Sequence, residues 1–300
     1  MVCSYAREPE KIIQSKTRII SIFNIDGKNI DKKVVSDFGN EWLKFNNFSD
    51  KSIKSAAEEY FDILDETIVN KSTYVLDIGC GTGRWTKYLA SKAGFIEAID
   101  PSNAIFAADK LLSNVENVRL SKASIDTLPF PDQTFDFAMS VGVLHHIPNT
   151  QQALIDCVKK VKKGGYFYVY LYYNLDRRRF LFKTLFLFVD FVRNIISRLP
   201  SKFKRFICDI IAVIVYLPLI WLARFLNFLH LKKLAHKIPL SAYKNKSFFI
   251  IRNDALDRFG TRLEQRFSKV EIEEMMKNSG LTDICVSTGV PYYHAIGRKV

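Results

Sequence analysis

Short apolar runs, several closed by a glycine or an acid and followed by an amphipathic stretch, recur along this chain of 300 residues. Tyr74 to Leu76 with Ile78 reads as a buried strand, glycines follow at Gly79, Gly81 and Gly83, and Arg84 to Ala93 is amphipathic. That order predicts strand, tight turn and helix, because such a turn needs positive φ and bare backbone. Gly94 to Ile99, ending in Asp100, predicts a second strand, Asn117 to Leu120 a third, Phe135 to Val141 a fourth, and the very aromatic Tyr166 to Tyr173 a fifth. Ala104 to Leu112 and Gln151 to Lys163 read as helices between them, the latter stopped by Gly164-Gly165. Ser268 to Glu271 has the spacing of a capping box opening a helix to Asn278, and Thr282 to Ser287 and Tyr292 to Gly297 read as closing strands. Upstream, Arg18 to Phe23 is a possible strand before a turn at Asp26-Gly27. Phe38, Trp42 and Phe45 share one helical face, and Asp50 to Val69 predicts a helix leading to the first strand. Alternating strands and helices predict an α/β core.

The pattern changes after Tyr173. In Asp176, Arg179, Lys183, Asp190, Arg193, Asn194 and Ser197 the polar residues recur at three- and four-residue steps, with Phe and Leu around them: a helix with a narrow wet stripe. Leu199-Pro200 breaks it, and Ile210 to Ala223 then carries no charge. Fourteen residues at about 1.5 Å each reach about 21 Å against a hydrocarbon core of about 30 Å, and Pro218 lies inside the run, so a single ordinary span is not expected. Two readings stay open and are compatible. One is a hairpin lying in a membrane interface, with Arg177 to Arg179, Lys202, Lys204, Arg205, Lys232, Lys233 and Lys237 near anionic headgroups; the other is a helical lid covering an acceptor pocket.

Charge sharpens that contrast. The chain has a formal net charge of +13, and residues 174–250 hold 15 Lys and Arg against 3 Asp and Glu, a net of +12, leaving the remainder nearly neutral. Nucleic acid is disfavoured as the partner, because the aromatics there are embedded in aliphatic runs. The five cysteines are scattered without a C-x-x-C pair, which argues against a disulfide framework or structural zinc and for a reducing, cytoplasmic setting. Charges from Arg7 to Lys11 and no apolar core argue against a secretory signal at Met1 to Gln14.

Candidate chemistry centres on the glycine turn. Its spacing is G-x-G-x-G, not the G-x-G-x-x-G of dinucleotide binders, it lacks the G-K-[ST] of a P-loop, and Asp77 stands two residues before the first glycine. An acid there repels a pyrophosphate and suits an ammonium or sulfonium, which points to S-adenosyl-L-methionine. Asp100, 23 residues beyond Asp77, is placed to take both ribose hydroxyls of an adenosine, while Ser102 suits the helix cap. In open α/β sheets ligands bind beyond the carboxyl ends of strands, so Ser140, Val141 and the following Gly142 to Pro148 should face the methyl donor. There His145 or His146 could serve as general base; alternatively both shape the loop through hydrogen bonds to backbone. Tyr172 and Tyr173 could reach substrate. Asp257 and Arg258 either line the acceptor site or pair at a hinge, and His294 reads as structural.

Val75 to Gly83, V-L-D-I-G-C-G-T-G, resembles the first motif of class I methyltransferases, and Leu128 to Asp136, L-P-F-P-D-Q-T-F-D, resembles the signature of their type 11 group, which includes quinone-biosynthesis enzymes. The resemblance implies an α/β, doubly wound, Rossmann-like sheet of seven strands with the last antiparallel, here with a helical insertion after strand 5. It implies methyl transfer by in-line displacement without a metal. Implied cofactor contacts are Asp77, Gly79, Cys80, Gly81, Gly83, Asp100 and Pro101; Ser124, which replaces an acid common in the family, with the backbone of Ile125; and Ser140 with Val141. Phe38, Gly39 and Trp42 lie in an F-G-x-E-W segment that in some relatives folds over the cofactor; the plainer reading is a hydrophobic staple for the N-terminal arm. The absence of [DN]-P-P-[YF] after strand 4 tilts toward oxygen or carbon acceptors. The resulting division is an arm over 1–49, a core over 50–173 and 251–300, and an insertion over 174–250. The expected function is methylation of a small, apolar or lipid-linked acceptor, in the cytoplasm and peripheral to the inner face of a membrane. The alternatives are a non-catalytic membrane-docking protein retaining the fold, or a nucleic-acid methyltransferase.

Overall fold

A computed structural model describes residues 3–43, 48–174, 180–289 and 291–300. Phe45 and Arg177 to Arg179 therefore lie outside the described residues. The chain divides into two compact units, Met1–Asp176 with Leu263–Val300, and Arg177–Arg262.

The first unit is built on a nine-stranded sheet. Its elements are β1 (Lys11–Gln14), β2 (Ile19–Ile22), α1 (Lys32–Trp42), α2 (Asp50–Tyr60), β3 (Tyr74–Ile78), α3 (Arg84–Ala90), β4 (Phe95–Ile99), α4 (Ala104–Leu111), β5 (Val118–Lys122), β6 (Phe135–Val141), α5 (Thr150–Lys159) and β7 (Val161–Tyr170). After the second unit, whose five α-helices span residues 180–260, come α11 (Lys269–Asn278), β8 (Leu281–Val286) and β9 (His294–Lys299). Strand order is β1-β2-β5-β4-β3-β6-β7-β9-β8. The seven strands from β3 to β9 are the doubly wound sheet that the resemblance implies, with β9 antiparallel to both neighbours. The arm contributes the two further strands. β2 runs parallel to β5, and β1 is its antiparallel edge.

Parallel strands covered on both faces read as continuous apolar runs, and β3 shows why. Leu76 and Ile78 face one buried cluster with Leu154, Phe167 and Ile272, while Val75 faces the other with Leu89, Ile105 and Tyr168. The Ser268–Glu271 capping box opens α11, as the spacing predicts. Two elements differ from expectation. The helix expected to Lys163 ends at Lys159, and Gly164 and Gly165 lie inside β7, where the register shifts opposite Phe135 and Phe137. Gly164 takes φ +78°, and a side chain at Gly165 would collide with the Asp136 carbonyl, so these glycines make a bulge instead of a helix stop. The helix from Asp50 stops at Tyr60, short of Val69, where an Asp65–Thr67 turn intervenes.

The second unit holds α6 (Phe180–Ile196), α7 (Ser201–Ile211), a single π-helical turn (Ala212–Tyr216), α8 (Leu217–Phe228), α9 (Lys232–Ala235) and α10 (Phe248–Gly260). The continuous helix Lys202–Phe228, 27 residues, passes Pro218 without a break and is the one helix among the described residues long and apolar enough to cross a membrane by length and composition. Residues 251–262, grouped with the core by sequence, belong to this unit. Ile251, Ala255 and Phe259 of α10 are buried, and Arg252 forms a two-pronged ion pair with Asp209 of α7. Arg258 lies 3.7 Å from Asp254, one helical turn earlier.

Candidate functional site

The loops after β3, β4 and β6 converge at the carboxyl ends of the strands. Gly79, Gly81 and Gly83 have φ of 77°, 54° and 79°. The amides of Gly79 and Cys80 both donate to the Ile99 carbonyl at 2.8 Å, which ties the turn to β4. At Gly79 a β-carbon would stand 2.5 Å from a Val143 methyl, so the β6 loop packs on bare backbone there; at Gly81 it would meet nothing within 4 Å. Gly81 is the open position of the turn.

Asp77 is buried beneath the turn, its carboxylate accepting a 2.5 Å bond from the Thr86 hydroxyl. Burial pushes its carboxyl up to about 7; the Thr86 bond pulls against this, and the charge of Asp100 adds to it. Asp100 is buried as well. One of its oxygens accepts from the Gly81 amide at 2.9 Å, the other from the Ser102 amide and hydroxyl at 2.8 and 2.6 Å. Burial raises its pKa, and these bonds hold the rise back. The Ser102 hydroxyl in turn accepts from the Ala104 amide, so helix capping and carboxylate positioning are one network, and Pro101 between them is half-buried. Two enclosed carboxylates, each raised by burial and Asp77 further by the charge of Asp100, form a site that a cation relieves.

α1 crosses all three loops. The Phe38 ring lies 4.8 Å from that of His146, and a β-carbon on Gly39 would come within 3.0 Å of Ser102 and Asn103. Near Trp42 the guanidinium of Arg84 sits 5.6 Å from the ring centroid and 4.5 Å over Trp85. The F-G-x-E-W segment thus packs on these loops. Arg84 was not singled out from the sequence, although its place directly after the last glycine, beside a tryptophan, was a usable signal.

Ser124 is buried after β5, its hydroxyl 3.0 Å from an Asp126 oxygen and 2.6 Å from the Thr127 hydroxyl, and Ile125 opens a 3-10 turn. The Ser140 hydroxyl donates to the Ile78 carbonyl at 3.0 Å, so this side chain ties β6 to β3, and Val141 is buried beside it.

The two histidines differ. His145 is fully buried, stacked 3.9 Å from the Tyr172 ring, with neither ring nitrogen hydrogen-bonded among the described residues. Burial, with His146 and Arg266 adding to it, pushes its pKa well down. His146 Nδ1 lies 2.7 Å from the Leu263 carbonyl, which only accepts, so Nδ1 carries the proton and Nε2 the lone pair. Its partner belongs to a segment that the spacing could not reveal, Leu263 to Phe267, over 100 residues downstream. Gln265 donates from its amide to the His145 carbonyl at 3.0 Å and from its side chain to the Ile147 carbonyl at 2.6 Å; Arg266 lies 5.4 Å from the Tyr172 centroid and pairs with the enclosed Glu264. Tyr173 bridges to Phe267 and packs on Tyr292 and Tyr293, whereas His294 pairs with Asp62 at 2.5 Å.

A doubly wound sheet with one antiparallel strand, a three-glycine turn and acids beneath and beside it defines a class I methyltransferase fold. Residues 76–169 match the family described as a methyltransferase domain. The chain is 33% identical over 144 residues to a demethylmenaquinone methyltransferase of Bacillus licheniformis, covering 46% of this chain, and 24% identical over 147 residues to a ubiquinone biosynthesis O-methyltransferase of Coxiella burnetii, covering 48%. It spans 61% of the length of each of these relatives. Among solved structures it is similar to a SAM-dependent methyltransferase from Aquifex aeolicus, with TM-score 0.44 and 15% identity over 84% of this chain and 98% of that one.

Proposed function

We propose that this protein transfers a methyl group from S-adenosyl-L-methionine to an oxygen or carbon of a small, apolar or lipid-linked acceptor, of the quinone type named for its relatives. The observation that carries the reading is the pairing of Asp77 and Asp100 around an open Gly81 under the cover of α1. The cofactor, when bound, supplies an activated methyl on a cationic sulfur. Asp77 answers positive charge, Asp100 takes the ribose hydroxyls, and the backbone of Ser124 and Ile125 meets the adenine. Phe38 and Trp42 exclude water from above, and His146, its tautomer set by Leu263, takes the acceptor's proton through Nε2. The net +12 of residues 174–250 supports an acceptor delivered at an anionic membrane surface.

Incubation with methyl-labelled cofactor and a membrane lipid extract should place label in an apolar product. A folded sample that shows no calorimetric binding of the cofactor would leave only the non-catalytic docking reading.

The turn makes a second expectation. Gly81→Ala adds a methyl where nothing stands, at a cost of about 1 kcal/mol for its positive φ, so the fold survives while cofactor affinity drops about tenfold or more. Gly79→Ala drives a methyl into Val143 and should lose about 2–4 kcal/mol of stability. Thermal melts beside calorimetric titration separate the two; equal melting losses with equal affinities would contradict the assignment of Gly81 to the cofactor.

A further inference from the structure

We propose that the helix Lys202–Phe228 lies flat in the headgroup boundary of an anionic membrane leaflet, with one long face inserted and the other held by α10, and that it does not cross the bilayer. This rests on the reading above that the second unit meets a membrane, and adds which face enters and in what orientation.

The buried stripe of the helix is Lys204, Cys208, Ala212, Tyr216, Ile220 and Ala223. Four-residue steps overrun an α-helix of 3.6 residues per turn by about 40° each, so four of them would swing the stripe through about 160°. The π-helical turn at Ala212–Tyr216 takes in roughly one extra residue, recovering about 100° of that drift, and this keeps the stripe facing one partner. The stripe side is polar and bonded. Lys204 Nζ donates to the Gly260 carbonyl at 3.1 Å, Tyr216 donates to Asp254 at 2.9 Å, and the Asp209–Arg252 pair joins α7 to α10 at 2.5 Å. Crossing the bilayer would drag these charges, with α10, through hydrocarbon.

The other side of the helix is apolar and open. Phe203, Phe206, Ile214, Trp221, Phe225 and Phe228 are each more than half exposed, and so are Leu187, Phe188 and Phe191 of α6. Such a run far exceeds the scattered apolar exposure of a soluble surface. Lys202, Arg198, Lys232, Lys233 and Lys237 are exposed in the same unit. Lipid is the occupant that the charge favours: a second copy would set +12 against +12, whereas anionic headgroups attract each basic residue near the surface.

The test uses the full chain with vesicles of phosphatidylglycerol and phosphatidylcholine, or of phosphatidylcholine alone. Binding should be at least about tenfold tighter to the anionic vesicles and weaken with salt. The emission of Trp221, taken as wild type minus Trp221→Phe, should be quenched more by bromine high in the acyl chains than by bromine near the midplane. The double variant Phe206→Glu/Phe225→Glu changes exposed positions only, and should melt like wild type while losing about a hundredfold in vesicle binding. Strongest quenching at the midplane overturns the flat orientation and leaves membrane contact standing; no vesicle recovery, or self-association in its place, overturns the proposal. Calorimetric titration with S-adenosyl-L-methionine without vesicles reports separately on the methyltransferase reading.

Discussion

Replacing Asp77 by asparagine should make the free protein more stable and its grip on the cofactor weaker, both effects growing with pH. The wild-type carboxyl titrates near 7 in the folded chain and near 3.8 when unfolded, so its contribution is fully present below the unfolded value and is lost as pH rises through about 7. Asparagine keeps an acceptor for Thr86 and has no charge to bury. Asp77→Asn should therefore melt with wild type near pH 4, gain through the range between, and stand on the order of 3 kcal/mol above it at pH 8, or roughly 5–10 °C. Cofactor affinity should move the other way, falling about 10- to 100-fold at pH 8, because the cationic ligand loses the charge that the wild type buries for it. The wild type should also release a proton on binding near pH 6.5, seen as a dependence of the calorimetric heat on buffer. If Asp77→Asn binds the cofactor as tightly as wild type at pH 8, Asp77 does not answer the sulfonium or ammonium.

This opposition explains what was legible in the sequence. The glycine turn, Asp77 and Asp100 stand within 24 residues, and their proposed roles follow from local backbone geometry: an acid beneath positive-φ glycines and another at the next strand end. The same locality made the sheet from β3 to β9 readable as apolar runs covered on both faces. Where contacts are distant, the pattern said less: Arg18 to Phe23 read as a strand, but neither β1 nor the pairing of β2 with β5 was visible. β1 and β2 are four residues each, with Ile12 and Ile19 largely exposed; they join the sheet through long-range ties such as Arg18 to the carbonyls of Val118 and Val115. Gly164-Gly165 looked like a helix stop because a bulge and a cap ask for the same residue, and only the pairing of β6 with β7 tells them apart. The uncharged run Ile210 to Ala223 read as too short to span a membrane because that count ends at Asp209 and Arg224, whereas the helix is continuous from Lys202 to Phe228 and carries Lys204 and Asp209 within it. Both are instead held by α10, and the π turn keeps their face aligned. Leu263 to Phe267 carries no motif at all, yet the Leu263 carbonyl fixes the His146 tautomer.

Adjacent and identical in sequence, His145 and His146 should respond in opposite senses to substitution. His145→Phe keeps a ring against Tyr172 and removes two buried nitrogens that have no hydrogen bond, so it should stabilise the fold by about 1–2 kcal/mol at pH 7.5. The gain should widen in acid. With a folded pKa driven well below the ordinary 6.5, wild-type stability is present above that value and lost as pH falls, because the unfolded histidine takes a proton that the buried one refuses. Denaturant titrations at pH 5.0, 6.0 and 7.5 would follow this divergence. His146→Ala removes the bond to the Leu263 carbonyl and the contact with Phe38, and with them the lone pair held at Nε2. Methylation of a hydroxyl acceptor should drop about 100-fold or more, with S-adenosyl-L-methionine affinity within a few-fold of wild type. Loss of turnover in His145→Phe as large as in His146→Ala, or destabilisation of His145→Phe, would move the base to the buried ring and require that the enclosing Tyr172 and Leu263–Phe267 segment open before each proton transfer.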